Sequence, residues 1–95
     1  MEKAHVLYVS NMDETRALLI LKPDTEDEKA IAAIEGVMRE VELSEIDEEE
    51  YYTETETAPG FFRECAESIW CNNCGVYIEN RWEANYSLAL NVPIL

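Results

Sequence analysis

Residues 82–92, WEANYSLALNV, form the most regular pattern in the chain. Apolar side chains stand at every second position of this stretch, and these are Trp82, Ala84, Tyr86, Leu88, Leu90 and Val92. A period of two is typical of a strand with one face on the core and the other in water. We therefore predict a long antiparallel strand whose alternating apolar set faces the core.

Four further strands are predicted around it. Residues 5–10 (HVLYVS) and 16–22 (RALLILK) are short apolar runs, and turn-forming residues at 11–15 join them, so the pattern indicates a β-hairpin. Residues 37–43 (VMREVEL) alternate between apolar and polar, which predicts another strand. Residues 76–79 (VYIE) predict the fifth.

Two helices are predicted between the strands. Thr25 and Glu28 have the spacing of a capping box, which predicts a helix that begins after Pro23 and ends at Gly36. Its apolar face is expected to contain Ala30, Ile31, Ile34 and Val37. Residues 61–70 predict the second helix, with Phe62, Cys65, Ala66 and Ile69 on its core face.

The chain of 95 residues is long enough for one hydrophobic core, so we predict a single domain over residues 1–95. The element order is β-β-α-β-α-β-β. The simplest packing for this order is an α+β fold, in which an antiparallel sheet of about five strands has two helices packed on one face.

The charge of the chain restricts its partners. Twenty-one acids against seven Lys and Arg leave a net charge of −14, whereas solubility of a small domain needs a magnitude of only about 2–8. Binding to phosphates requires Lys or Arg, so we expect no direct contact with nucleic acid and none with an anionic membrane. A basic protein is the partner that this charge favours.

The composition also indicates a compartment. The first residues do not contain a hydrophobic run of signal-peptide length, and an odd number of cysteines, three, is typical of a reducing environment. We expect a cytoplasmic protein, in the host cell cytoplasm if a phage encodes it.

The pair Cys71 and Cys74 is the strongest candidate for a chemical site. Two thiolates at this spacing could hold zinc together with Cys65, but a closed site needs a fourth ligand, which would have to be His5, a carboxylate or water, because a second Cys pair is absent from the sequence. A redox pair is the other alternative, but a helix would precede these cysteines rather than follow them. We expect the three cysteines to pack, and we predict no cofactor and no catalytic residues, since the chain has one histidine and three isolated glycines.

The acidic segment, about residues 40–57, contains nine acids and no Lys or Arg. We predict a short helix in it, followed by an extended Thr-Glu-Thr-Glu-Thr run. Carboxylates on such a segment have spacings similar to those of phosphates on a nucleic-acid strand, and tyrosines are common interface anchors. The predicted partner-binding residues are Glu40, Glu42, Glu45, Asp47, Glu48, Glu49, Glu50, Tyr51, Tyr52, Glu54 and Glu56. The alternative is a solvated acidic loop that binds nothing.

In size and charge the chain resembles small acidic phage proteins that inhibit CRISPR or restriction systems, and also nuclease immunity proteins and antitoxins. That resemblance implies an inhibitor that mimics DNA and blocks the nucleic-acid site of a basic protein. The alternative is a small structural zinc or housekeeping domain whose acidity is incidental.

Overall fold

The computed structural model describes residues 2–79 and 83–94. The elements in chain order are β1 Glu2–Ser10, β2 Thr15–Leu21, α1 Asp27–Glu42, α2 Glu48–Thr55, α3 Phe61–Asn72, β3 Val76–Glu79 and β4 Glu83–Ile94. The predicted α+β class with an antiparallel sheet is confirmed, but the described residues form four strands and three helices rather than five and two.

The sheet has the strand order β2-β1-β4-β3, and every neighbouring pair is antiparallel. The two ends of the described chain therefore meet in the centre of the sheet, where β1 pairs with β4. The predicted hairpin is confirmed, and its turn is held by Asn11, whose Oδ1 accepts the N–H groups of Asp13 at 2.8 Å and Glu14 at 2.9 Å. Such bonds are the reason that Asn favours turns.

The helices lie on one face of the sheet. Leu7, Tyr86 and Leu88 from the central strands share the core with residues of all three helices. The molecule measures 45 × 31 × 20 Å. The shortest of these dimensions corresponds to two layers of about 10 Å each, so none of the three described helices covers the other face of the sheet.

The predicted strand over residues 37–43 is wrong, because α1 continues through it to Glu42. The positions that appear to alternate also fit a helix, since Val37 and Val41 are one turn apart. The buried residues of α1 instead follow a helical repeat that ends in Met38 and Glu42. Gly36 does not end the helix.

Two other local predictions are corrected. The helix cap is Glu26 rather than Thr25, whose hydroxyl donates to the carbonyl of Lys22 at 2.6 Å. The threonine run after the acidic stretch is not extended: the hydroxyls of Thr53 and Thr55 donate to carbonyl oxygens one turn earlier in α2. The predicted helix at residues 61–70 is confirmed as α3, with its four expected residues buried.

The alternation of β4 holds for Ala84, Tyr86 and Leu88, which are buried, and fails beyond them. Between the pairs Val6–Ala89 and Ala4–Val92, β4 contains one residue more than β1, which is a β-bulge. Asn91 in this bulge has a positive φ of 55°. As a result Leu90 is 47% exposed and Val92 pairs on the face away from the helices. The inward placement predicted for these two residues is wrong, and Trp82 lies outside the described residues.

Among residues 2–79 and 83–94, no helix combines the length and the apolar character that a membrane crossing needs.

Candidate acidic interaction surface

Tyr51 anchors the acidic segment to the core. This residue lies on α2 and is fully buried, with its ring 5.6 Å from that of Phe62. Its hydroxyl donates to Oε1 of Glu42 at 2.9 Å. A short helix with only one buried residue would not hold its place by propensity alone. The tyrosine therefore supplies the tertiary contact that positions α2 against α1 and α3.

Glu42 is the acid of this segment that the structure places in the core, with 2% of its surface exposed. Its two carboxylate oxygens accept hydrogen bonds from Tyr51 and from Tyr86, the latter at 2.7 Å. Buried carboxylates need such donors to offset the loss of hydration. Glu42 and Tyr51 therefore have a structural role and are not part of the accessible surface.

Glu48 is also held by neighbours within the protein. Arg39 forms an ion pair with it at 2.5 Å, and the hydroxyl of Tyr52 donates to it at 2.6 Å. These two contacts, first the tyrosine and then the arginine, lower the pKa of Glu48 below its ordinary value. The guanidinium of Arg39 also lies 5.9 Å from the centre of the Phe62 ring. Arg39 thus fixes the first turn of α2 against α1 and α3.

Seven carboxylates of the segment point outward, and we call them the acidic ridge. They are exposed residues of the α1 end, the α1–α2 connection, α2 and its cap: Glu40, Glu45, Asp47, Glu49, Glu50, Glu54 and Glu56. Glu50 and Glu54 are one helical turn apart, so their carboxylates lie on the same side of α2 at about 6 Å along the axis. The segment is a folded helical edge with acids on its outer side.

The charge of the protein is divided between its two layers. Sixteen of the 21 acids, but only three of the seven Lys and Arg, lie between residues 24 and 72, the part of the chain that contains the three helices and that we call the helical layer. Two of those three bases are neutralised within the layer: Arg39 by Glu48, and Arg63 by Glu28, whose two carboxylate oxygens accept from the same guanidinium nitrogen, and by Glu67. The rest of the chain has five acids and four Lys or Arg. The excess negative charge therefore belongs to the helical layer.

A cleft of about 520 Å³ adjoins the acidic ridge. Its apolar lining comes from the end of α1 and from the sheet, including Val37, Val41 and Leu18. Glu40, a ridge residue, lines this cleft together with Glu14, Glu83 and the basic Arg16, so the acids outnumber the base. The ridge therefore has an apolar recess beside it, a combination that fits the aliphatic stem and charged end of a Lys or Arg side chain.

The structure separates the residues of the candidate zinc set. The expected packing holds for Cys65, which is in the core, where burial raises the pKa of its thiol to about 11. It is wrong for Cys71 and Cys74, which are exposed at the end of α3 and beyond it. Nδ1 of His5 accepts the backbone N–H of Asn91 at 3.1 Å. Within the described part of the chain, no three His, Cys, Asp or Glu side chains are grouped to hold a metal ion.

The roles of Arg39 and Glu42 were not predictable from the local sequence pattern. Arg39 precedes the acidic segment and carried no motif of its own. The burial of Glu42 had no local signal, because both hydrogen-bond donors come from other elements. The four-residue spacing of Ala30, Ile34, Met38 and Glu42 is a sign that the sequence does contain.

No family model, curated protein or solved structure matches this chain.

Proposed function

We propose that this protein is an interaction protein that binds a basic, nucleic-acid-binding protein and blocks its nucleic-acid site. The observation that carries the proposal is the acidic ridge on a helical edge anchored by Tyr51. A protein surface that binds phosphates carries Lys and Arg at spacings suited to a row of anions. The ridge offers such a surface an alternative row of anions.

Anchoring of the ridge supports this proposal over a purely solvated acidic loop. An unfolded segment would lose conformational entropy on binding, about 1–2 kcal/mol for each residue that becomes ordered. Residues of α2 are already helical and held by the contacts of Tyr51 and Arg39. Preorganisation of this kind improves affinity because less ordering is left to the binding step.

The charge division supports a defined orientation of the complex. The field of the helical layer steers a basic partner towards the ridge, since long-range attraction acts before contact. At the ridge, carboxylates of Glu49 and Glu50 would face Lys or Arg of the partner, and the cleft beside Glu40 would take one such side chain. Nucleic acid and this protein would then compete for the same basic groups.

Size and charge favour one biological setting for such a blocker, a phage-type inhibitor of a bacterial defence complex such as a CRISPR or restriction system. A nuclease immunity protein or antitoxin would use the same surface in the same way. The identity of the partner that the protein captures distinguishes these settings.

A pair of charge-matched variants tests the proposal. The ridge variant carries Glu45→Gln, Glu49→Gln and Glu50→Gln, all at exposed positions. The control carries Glu2→Gln, Asp13→Asn and Glu79→Gln, which remove the same charge from exposed positions on the sheet layer, away from the cleft. Each immobilised protein is exposed to extract of the native host, and captured proteins are identified by mass spectrometry.

The expected result is a basic nucleic-acid-binding protein that the native chain and the control capture and the ridge variant does not. In a mobility-shift assay with that purified partner, the native chain should displace its nucleic acid. If all three proteins capture the same set, or if nucleic acid stays bound at saturating inhibitor, the proposal is wrong.

A further inference from the structure

The cleft beside the acidic ridge has an apolar floor. Four half-buried side chains of the sheet and of α1 form this floor, and they are Val9, Leu18, Val37 and Val41. The volume of the cleft is about 520 Å³, within the range of about 300–1,000 Å³ that is typical of sites for small ligands. The cleft therefore has room for a ligand with an apolar body.

Three exposed acids surround this floor, and each comes from a different part of the chain. Glu14 precedes β2, Glu40 is in α1, and Glu83 begins β4. The base among the described lining residues is Arg16, and none of the ion pairs in the described part of the chain includes it. The excess of carboxylates favours a cation, and carboxylates on separate elements can contact it from different sides.

The end of α1 adds to the negative potential of the cleft. This helix ends at Glu42, and the last carbonyl groups of a helix together carry about half of an elementary negative charge. Glu40 lies in the same last turn, where that partial charge disfavours a carboxylate. The position of Glu40 therefore lowers the stability of the free protein, and a cation bound beside it would offset the loss.

An arginine side chain matches these features better than a lysine side chain. Its aliphatic stem can lie along Val37 and Val41 while its charged end stays at the acidic rim. A guanidinium is more weakly hydrated than an ammonium, so it loses less on entering a half-buried cleft. Its five N–H groups can also donate to more than one carboxylate, whereas lysine has three donors on one nitrogen.

From this arrangement we infer that the cleft is the specificity site for an arginine side chain of the basic partner. The inference rests on the proposed function and gives its two surfaces different roles. Ion pairs of the ridge acids outside the cleft stay hydrated and contribute little affinity, so those acids act mainly by attracting the partner. In the cleft the arginine covers apolar side chains and is partly desolvated, and residues of that kind dominate the binding energy of interfaces.

A small guanidinium tests the cleft without any partner. n-Butylguanidinium chloride has the stem and the charge of an arginine side chain, and NMR of the isotope-labelled chain at constant ionic strength measures its binding. We expect saturable shifts at Leu18, Val37 and Val41 with a millimolar dissociation constant, as befits a ligand of so few atoms. n-Butylammonium chloride should bind at least about threefold more weakly. Shifts that do not saturate, or that follow α2 instead of the cleft, overturn the inference.

Two variants with the same charge change locate the site. Glu40→Gln removes a carboxylate from the cleft, and we expect the dissociation constant for butylguanidinium to rise by at least about threefold. Glu49→Gln removes one from the exposed side of α2 and should change it by less than about 1.5-fold. The urea midpoint of Glu40→Gln should be equal to or higher than that of the native chain, because a like charge leaves the helix end. Equal effects of the two variants on binding would contradict the assignment of the cleft.

Arg16→Gln should have the opposite effect. This variant removes the positive charge that repels a cation in the cleft, so butylguanidinium should bind about twofold more tightly or better. Weaker binding would show that the ligand of the cleft is not a simple cation.

The captured partner provides the last measurement. We expect Glu40→Gln to raise its dissociation constant by at least about tenfold, chiefly through faster dissociation, whereas the ridge variant defined above should chiefly slow association. If Glu40→Gln leaves dissociation unchanged while the native chain still displaces nucleic acid, this inference is wrong and the proposed function stands. If no basic partner is captured, the proposed function fails, and the butylguanidinium titration still decides whether the cleft holds a guanidinium.

Discussion

The hydroxyl of Tyr86 donates a 2.7 Å hydrogen bond to Oε2 of Glu42, a residue 44 positions earlier in the chain. The bond links the centre of the sheet to the last turn of α1. Burial, followed by this hydrogen bond, raises the pKa of Tyr86 well above its usual range. With Tyr51 on the other carboxylate oxygen, Glu42 joins three elements at the base of the acidic ridge.

Loss of this bond should destabilise the protein. We expect Tyr86→Phe to lower the free energy of unfolding by about 1.5–3 kcal/mol, because the acceptor is a buried carboxylate that would keep one donor fewer. Urea unfolding at neutral pH measures the change. Tyr8→Phe is the matched control, since Tyr8 lies on the face of the sheet away from the helices, and it should cost less than about 0.5 kcal/mol. Equal losses in the two variants would contradict the structural role of Glu42.

Two leucines that are two positions apart on β4 should contribute differently to the free energy of unfolding. Leu88 is 8% exposed and belongs to the core, whereas Leu90 stands at the bulge and is largely exposed. We expect Leu88→Ala to cost about 2–5 kcal/mol, because it leaves a cavity, and Leu90→Ala to cost less than about 1 kcal/mol. Chemical denaturation of both variants under identical conditions makes the comparison. Similar costs would show that β4 keeps a regular alternation through its end.

Stability at alkaline pH should depend on Cys65. Burial raises the pKa of its thiol from an ordinary value of 9.0 to about 11. A raised pKa in the folded state gives a contribution that is complete below pH 9 and is lost as the pH rises towards 11, because the unfolded chain ionises first. Over this range the free energy of unfolding should fall more steeply for the native chain than for Cys65→Ala.

The exposed Cys71 provides the control for that measurement. Cys71→Ala removes a thiol from the surface at the end of α3, and the pH dependence of its unfolding should follow that of the native chain. An alkaline slope that Cys65→Ala leaves unchanged would contradict the burial of this thiol.

Salt should reveal which acids contact the partner. Binding of the captured basic protein to the native chain should weaken steeply between about 0.1 M and about 1 M salt, as screening removes long-range attraction. The ridge variant defined above should bind more weakly at low salt and show a shallower dependence. The sheet-layer control carries the same net charge, so it should keep most of the native slope. Surface plasmon resonance at several salt concentrations gives both slopes and association rates.

Local patterns were enough for the elements in which neighbouring residues all favour one structure. The hairpin could be predicted because Asn11 satisfies backbone groups within its own turn. The core face of α3 could be predicted because its apolar residues follow the helical period without interruption. The acidic character of residues 40–57 also follows directly from composition.

Tertiary contacts decided the elements that local patterns left ambiguous. The sequence of residues 37–43 is compatible with a strand or a helix. In the folded protein these residues up to Glu42 are helical, and this places Met38 and Glu42 in the core. The bulge at Leu90 and Asn91 exists only in relation to the register of β1. Eleven acids and tyrosines are predicted to form one surface, but Glu42 is buried. Its burial depends on the hydrogen bond that it accepts from Tyr86, 44 positions later in the chain. Residue type and local period do not contain that information, because burial is set by which distant side chains complete the hydrogen bonds.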